Sequence, residues 1–258
     1  MLDFQVSVVV RDVRGLKIPI KLFVADSGLP VYNDIADIDA YHRLGLDYQD
    51  LCDPDWFQDD HELAVGFWGD CVNLYRNATE HAGYGILQKW KDRCCQRTDP
   101  TELEKTFQQL RKDDIHNKTI LGDDPAPPFR PFFIYSSNVD GHFHRRFEPD
   151  EIYEIHGNVE WWQCAGRDSK RRPCNLKCWP IPPEMRFDID PTTRNALDVS
   201  HASLSCPKCK AVARPNVLMF RDKAWIRNTI QEVRMLVLFI IVRTNNMRRN
   251  VMRDGKLS

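Results

Sequence analysis

Apolar residues recur at mostly helical intervals along "DPDWFQDDHELAVGFWGDCVNLYRNA", Asp53 to Ala78, where Phe57, Leu63, Phe67, Val72 and Tyr75 carry the pattern. The spacing predicts one or two helices, opened by a cap and a first-position proline at Asp53-Pro54. Thr79 stands where it can cap a further helix through "TEHAGYGILQKWKDRCC", with Ile86, Leu87 and Trp90 on one face. "TELEKTFQQLRKD" places Thr101 and Glu104 at capping-box spacing and predicts another. The four prolines of "GDDPAPPFRP", Gly122 to Pro131, lack amide donors and fix φ, so that stretch is a loop.

Beyond the loop the pattern shortens. Phe132 to Tyr135 is an apolar run of strand length that turns abruptly polar at "SSNVDGH". "EIYEIHG", Glu151 to Gly157, "RPNVLMF", Arg214 to Phe220, and "MLVLFIIV", Met235 to Val242, are further strand candidates. The last spans eight residues, far short of the ~20 that a membrane helix needs. Helical patterns alternating with short β-rich runs predict an α/β sheet. Asn, Asp and Gly in "NVDGH" are turn residues, but a polar cluster after an apolar strand also stands where ligands bind parallel sheets.

Composition adds limits. The 258 residues, 42% of them apolar, suffice for one large domain or a domain with a small companion. A formal charge of -1 supplies no global field for nucleic acid or an anionic membrane, so neither is expected as a direct partner. The apolar run near the N-terminus is flanked by Asp3 and Arg11, which does not match a targeting signal. The chain is expected to be a cytoplasmic or nuclear monomer.

Of nine cysteines, five lie between Cys164 and Cys209. Cys206 and Cys209 in "CPKC" form a knuckle whose thiolates can converge on one ion. The partners come from Cys164, Cys174 and Cys178, three candidates for two places. Four thiolates make a closed, structural zinc site. Cys52, Cys71, Cys94 and Cys95 read as small buried residues.

Taken in order, "SSNVDGHF", "EIHG", the paired cysteines and "RPNVLMF" resemble the core of the sirtuins, NAD-dependent protein-lysine deacylases. "ADSGLPVY", Ala25 to Tyr32, resembles the loop after the family's first glycine turn, and the likeness runs to about Trp225 with an insertion near Cys94 to Gly122. The resemblance implies a Rossmann-like parallel sheet domain over 1–156 and 214–258, discontinuous and incomplete, with a small inserted zinc-ribbon domain over 157–213. It implies NAD and Zn as cofactors, and an acylated-lysine protein or peptide as partner. Nicotinamide would be released and the acyl group transferred to ADP-ribose.

Residue by residue, the resemblance makes His156 the general base that draws a proton from a ribose hydroxyl. Asn138 and Asp140 match residues that hold the nicotinamide end of NAD, and Ser27, Tyr32 and Ser137 fall in cofactor-binding segments. Val217 and Phe220 match the lining of the acyl-lysine tunnel. Trp179 follows the second ligand and selects Cys164, Cys174, Cys206 and Cys209, with Cys178 as substitute. The family's phosphate-binding glycine turn is replaced by about Ile20 to Leu22, its arginine by Asn33, and the glycine after "RPNVLMF" by Arg221, while Asp222 keeps the acid. These replacements frame an alternative, a catalytically impaired sirtuin-like zinc protein that binds peptide or nucleotide without turnover.

Overall fold

The computed structural model describes residues 5–11, 17–23, 35–97, 101, 105, 132–167, 172–228 and 232, the first two segments as backbone. Ser27, Tyr32, Asn33 and the apolar run Met235 to Val242 lie outside the described residues, as does most of the segment beginning at Thr101.

A four-stranded sheet is ordered β2-β1-β3-β4, with β1 Gln5–Arg11, β2 Lys17–Phe23, β3 Phe132–Ser136 and β4 Ile152–Glu154. β3 and β4 run parallel, pairing Ile134 with Ile152 and Ser136 with Glu154. β1 is antiparallel to both neighbours, so the sheet is mixed. The hairpin β1–β2 has no counterpart among the expected elements, and it takes up Ile20 to Leu22, the segment matched to a glycine turn, as extended strand.

Before β3 come the helices α1 Asp39–Leu44, α2 Tyr48–Leu51, α3 Trp56–Asp59, α4 His61–Asn77 and α5 Ala82–Arg97. The helical pattern from Asp53 is therefore two helices, but the caps differ from those expected. α4 is capped by Asp60, whose side chain accepts the Leu63 amide, while the Asp53 carboxylate only closes a turn onto the Asp55 amide. At the start of α5 the side chain that accepts an amide is His81, which receives Gly83 N–H, and not Thr79. Leu87 is buried and Trp90 packs beside it against β3 and β4, whereas Ile86 points outward, 47% exposed. Cys52, Cys71 and Cys94 are buried as expected, but Cys95 is exposed.

β3 is apolar or aromatic from Phe132 to Tyr135 because both its faces are covered. Phe132 and Ile134 pack with Tyr84, Leu87, Phe143, Phe147 and Ile152, while Phe133 meets Tyr153 on the other side. A second, antiparallel sheet is ordered β6-β5-β7, with β5 Gly157–Cys164, β6 Trp179–Pro180 and β7 Ala213–Val217. Its packing joins the cysteine-bearing region to the helices in one apolar core. Trp162 is fully buried, stacked on Phe187 at 6.1 Å and edge-on to Phe57 at 6.4 Å. Burying a phenylalanine such as Phe57 or Phe67 stabilises the fold by about 1.5–3 kcal/mol. The polar segment after β3 and His156 thus fall at the carboxyl ends of β3 and β4, and the cysteine cluster at the far end of β5.

Candidate active site and metal centre

β3 and β4 stop within one step of each other, and the Ile155 amide donates to the Ser136 carbonyl at 2.9 Å to close the pair. The chain leaving β3 then folds over its own strand end. Ser136 Oγ accepts the Asn138 amide at 3.1 Å, and Asp140 Oδ1 accepts the His142 amide at 2.8 Å. Asn138 Nδ2 reaches Asp140 Oδ2 at 3.4 Å, so the two side chains orient one another. Both are buried, and the Asn138 Oδ1 carbonyl is buried without a hydrogen-bond partner. Such an acceptor costs about 1–3 kcal/mol unless a donor arrives, and its place at parallel strand ends is where a ligand donor would arrive.

His156 stands on the neighbouring strand end, half-buried, with Nδ1 3.3 Å from the carbonyl oxygen of Ser137. With its proton on Nδ1 as the donor of that bond, Nε2 is left with the lone pair that a base requires. The His156 carbonyl accepts the Leu218 amide at 2.8 Å, which ties the end of β7 to this site. Gly157 makes the approach feasible. It has φ +72°, and a Cβ there would lie 1.8 Å from the Asn216 carbonyl oxygen.

Ser137, Asn138, Asp140 and His156 are therefore gathered at one sheet end. The substrate segment is arranged differently from the expected strand. β7 ends at Val217: the Leu218 amide still donates to the His156 carbonyl beside the last β5–β7 pair, but that of Phe220 turns away to the Cys52 carbonyl at 3.1 Å. Val217 sits in the apolar core, and Phe220 is half-buried against Tyr48. Arg221 adopts φ +58°, a left-handed conformation that favours glycine, and Asp222 forms a buried ion pair with Arg214 at 2.7 Å. Burial lowers the pKa of Arg214, while the charge of Asp222 opposes that loss.

The cysteine cluster is built from β5 and two turns. Cys164, Cys174, Cys206 and Cys209 place their Sγ atoms within 4.8 Å of one another. The Cys164–Cys209 and Cys174–Cys206 separations are 3.7 and 3.5 Å. Four thiolates at zinc–sulfur distances of about 2.3 Å stand about 3.8 Å apart in a tetrahedron, so the donor set fits zinc. Gly166 N–H and Asn175 Nδ2 donate to Cys164 Sγ and Cys174 Sγ, neutral donors of the kind that orient thiolate ligands. Burial pushes the Cys164 thiol up to about 12. At Cys209 burial also acts upward, but the Ala211 amide and the surrounding cysteines outweigh it and bring the thiol to about 7. Cys178 stands outside the cluster, half-buried, its thiol raised to about 11 by burial against a lowering by Arg214.

Two polar side chains at the same strand ends escaped the sequence reading. Glu154 closes β4 and meets His144 at 3.2 Å, and it also accepts from Asn158. Glu154 lies two residues before His156, the one sequence signal for it; His144 carries none, since only the fold brings it to Glu154.

No family model matches the chain, and no curated protein matches it in sequence. Among solved structures it is similar to the crystal structure of a Sir2 homolog–NAD complex, with a TM-score of 0.40 and 17% sequence identity. The likeness covers 76% of this chain and 53% of that one, so the chain spans about half the length of the structure it matches.

Proposed function

We propose that the chain is a sirtuin-like NAD-dependent protein-lysine deacylase. The observation that carries this reading is the buried, unpartnered Asn138 Oδ1 at the carboxyl ends of β3 and β4, beside Asp140 and within the same strand-end cluster as His156. An orphaned carbonyl fits a carboxamide, whose N–H it would accept, and Asp140 fixes the orientation of the Asn138 amide for that contact. NAD, when bound, supplies the nicotinamide leaving group and the ribose to which the acyl group passes. His156 Nε2 takes the proton from a ribose hydroxyl, and the Ser137 carbonyl holds the opposite ring nitrogen in the donor form. Val217 and Phe220 are assigned to the acyl-lysine, and an uncharged acyl-lysine enters an apolar wall at far lower cost than a free ammonium. Cys164, Cys174, Cys206 and Cys209 would hold a structural zinc, which would tie together the turns at the end of β5.

A second reading has its own observation. Ile20 to Leu22, matched to the phosphate-binding glycine turn, is extended strand in an antiparallel hairpin, which offers no cradle of amides to a pyrophosphate. On that reading the chain binds peptide or nucleotide without turnover. Nicotinamide release from NAD in the presence of an acetylated peptide separates the two. The deacylase reading predicts release by the parent chain and a fall of about 100-fold or more in His156→Ala. NAD binding without release in the parent supports the second reading.

A further inference from the structure

Behind Asp140, a histidine and an asparagine converge on one carboxylate oxygen. The Glu154 side chain is 8% exposed, and its Oε2 accepts from Asn158 Nδ2 and lies 3.2 Å from His144 Nε2. Asn158 is itself buried, and its Oδ1 accepts the Glu160 amide at 3.0 Å. A Cβ placed on Gly141 would stand 3.9 Å from Asn158 Cγ, so this amide lies against the turn that carries Asp140. Glu154 therefore links three pieces of chain: the end of β4, the start of β5, and the short 3-10 helix His142–Arg145 that follows Asp140.

The charges around His144 come from several elements. Burial lowers its pKa, but the hydrogen bond and charge of Glu154, joined by the charge of Asp140, outweigh that and raise it. Its neighbours in sequence face elsewhere: Arg145 donates to the carbonyls of Tyr75 and Ala78, and Arg146 pairs with Glu80. From α5, Tyr84 feels Asp140, Glu80, Arg145 and Glu154, and burial above all pushes its phenol upward, so it stays protonated. Imidazole is the group in this set whose charge changes near neutrality.

We infer that His144 and Glu154 are positioning residues for the cofactor pocket: the protonated His144–Glu154 pair holds Asn158 and the Asp140 turn in place, and loss of the proton weakens that hold. Deprotonation removes the positive charge that Glu154 and Asp140 favour on the ring. This inference rests on the nicotinamide reading for what the pocket binds, while the clamp itself is a property of the protein alone.

The test is NMR of the imidazole and side-chain amide groups in the full chain, for the parent and Glu154→Gln, from about pH 5.5 to 8.5. Glutamine keeps an oxygen for Asn158 and removes the charge. In the parent, His144 titrates above the ordinary imidazole value and the Asn158 amide signals move with the same midpoint. In Glu154→Gln the His144 midpoint falls and the Asn158 signals no longer follow it. His144→Gln, which keeps a donor toward Glu154, gives Asn158 signals that do not vary with pH. NAD calorimetry in a His156→Ala background weakens at least about fivefold across the His144 midpoint, and the dependence vanishes when Glu154→Gln is added. An unchanged His144 midpoint in Glu154→Gln, or pH-independent NAD affinity in the His156→Ala chain, overturns the inference. A chain that binds no NAD at any pH defeats the nicotinamide reading, and the NMR midpoints then decide the clamp alone.

Discussion

At the scale of single residues, two backbone positions show what the strand ends demand. Gly157 has φ +72° with the Asn216 carbonyl where a Cβ would be, so Gly157→Ala should cost about 2 kcal/mol or more, read as a lowered urea midpoint with unchanged m. Arg221 occupies a left-handed conformation at φ +58° with its side chain 79% exposed, so little packing is lost on removing it. Arg221→Gly should therefore stabilise the chain by up to about 1 kcal/mol, the relief of left-handed strain exceeding the added freedom of the unfolded state. The third residue is His144, whose folded pKa is raised by Glu154 and Asp140. Its contribution to stability is fully present below the unfolded imidazole pKa and is lost as pH rises through the folded one. Thermal melts across neutrality should show the parent losing stability relative to His144→Gln as pH increases, and parallel curves would contradict this.

At the scale of elements, helix α4 owes its position to a face with no room for side chains. A Cβ on Gly66 would meet the Arg194 carbonyl oxygen at 2.1 Å, whereas one on Gly85 in α5 meets nothing within 4 Å. The same substitution should thus change sign: Gly85→Ala stabilises by about 0.5–1 kcal/mol through helix propensity, and Gly66→Ala destabilises by displacing the Arg194 turn. Chemical denaturation of the two variants checks both. The existence of these helices was legible, because Phe57, Leu63, Phe67, Val72 and Tyr75 are all buried in the face the period predicts. Their ends were less so. Asp60 and His81 cap where Asp53 and Thr79 were expected, since a cap depends on the φ and ψ of one residue and several nearby side chains offer similar acceptors. Ile86 is exposed because the buried stripe of α5 runs through Tyr84, Leu87 and Trp90, one position out of phase with it. The hairpin β1–β2 was missed because a short apolar run does not announce its pairing partner.

At the scale of the whole molecule, β4 and β5 are nearly continuous in sequence yet belong to different sheets, and the candidate site lies at their junction. Asn138, Asp140 and His156 were singled out by the resemblance carried in the order of short motifs, and the fold places each within a few residues of a strand end. Glu154 and His144 could not be paired in advance, since their contact depends on where the short helix after Asp140 comes to rest. The choice of Cys174 over Cys178 came only from resemblance, and the fold brings the sulfur of Cys174 to the other three. Metal analysis of purified protein should give about one zinc per chain, lost in Cys206→Ser, and a stoichiometry near zero in folded protein would contradict the ligand assignment. The ends of β3 and β4 are proposed to form a nicotinamide pocket. Calorimetric titration of NAD into the zinc-loaded chain tests it most directly: the account predicts saturable binding that weakens about tenfold or more in Asn138→Ala, and folded, zinc-loaded protein that takes up no NAD would contradict it.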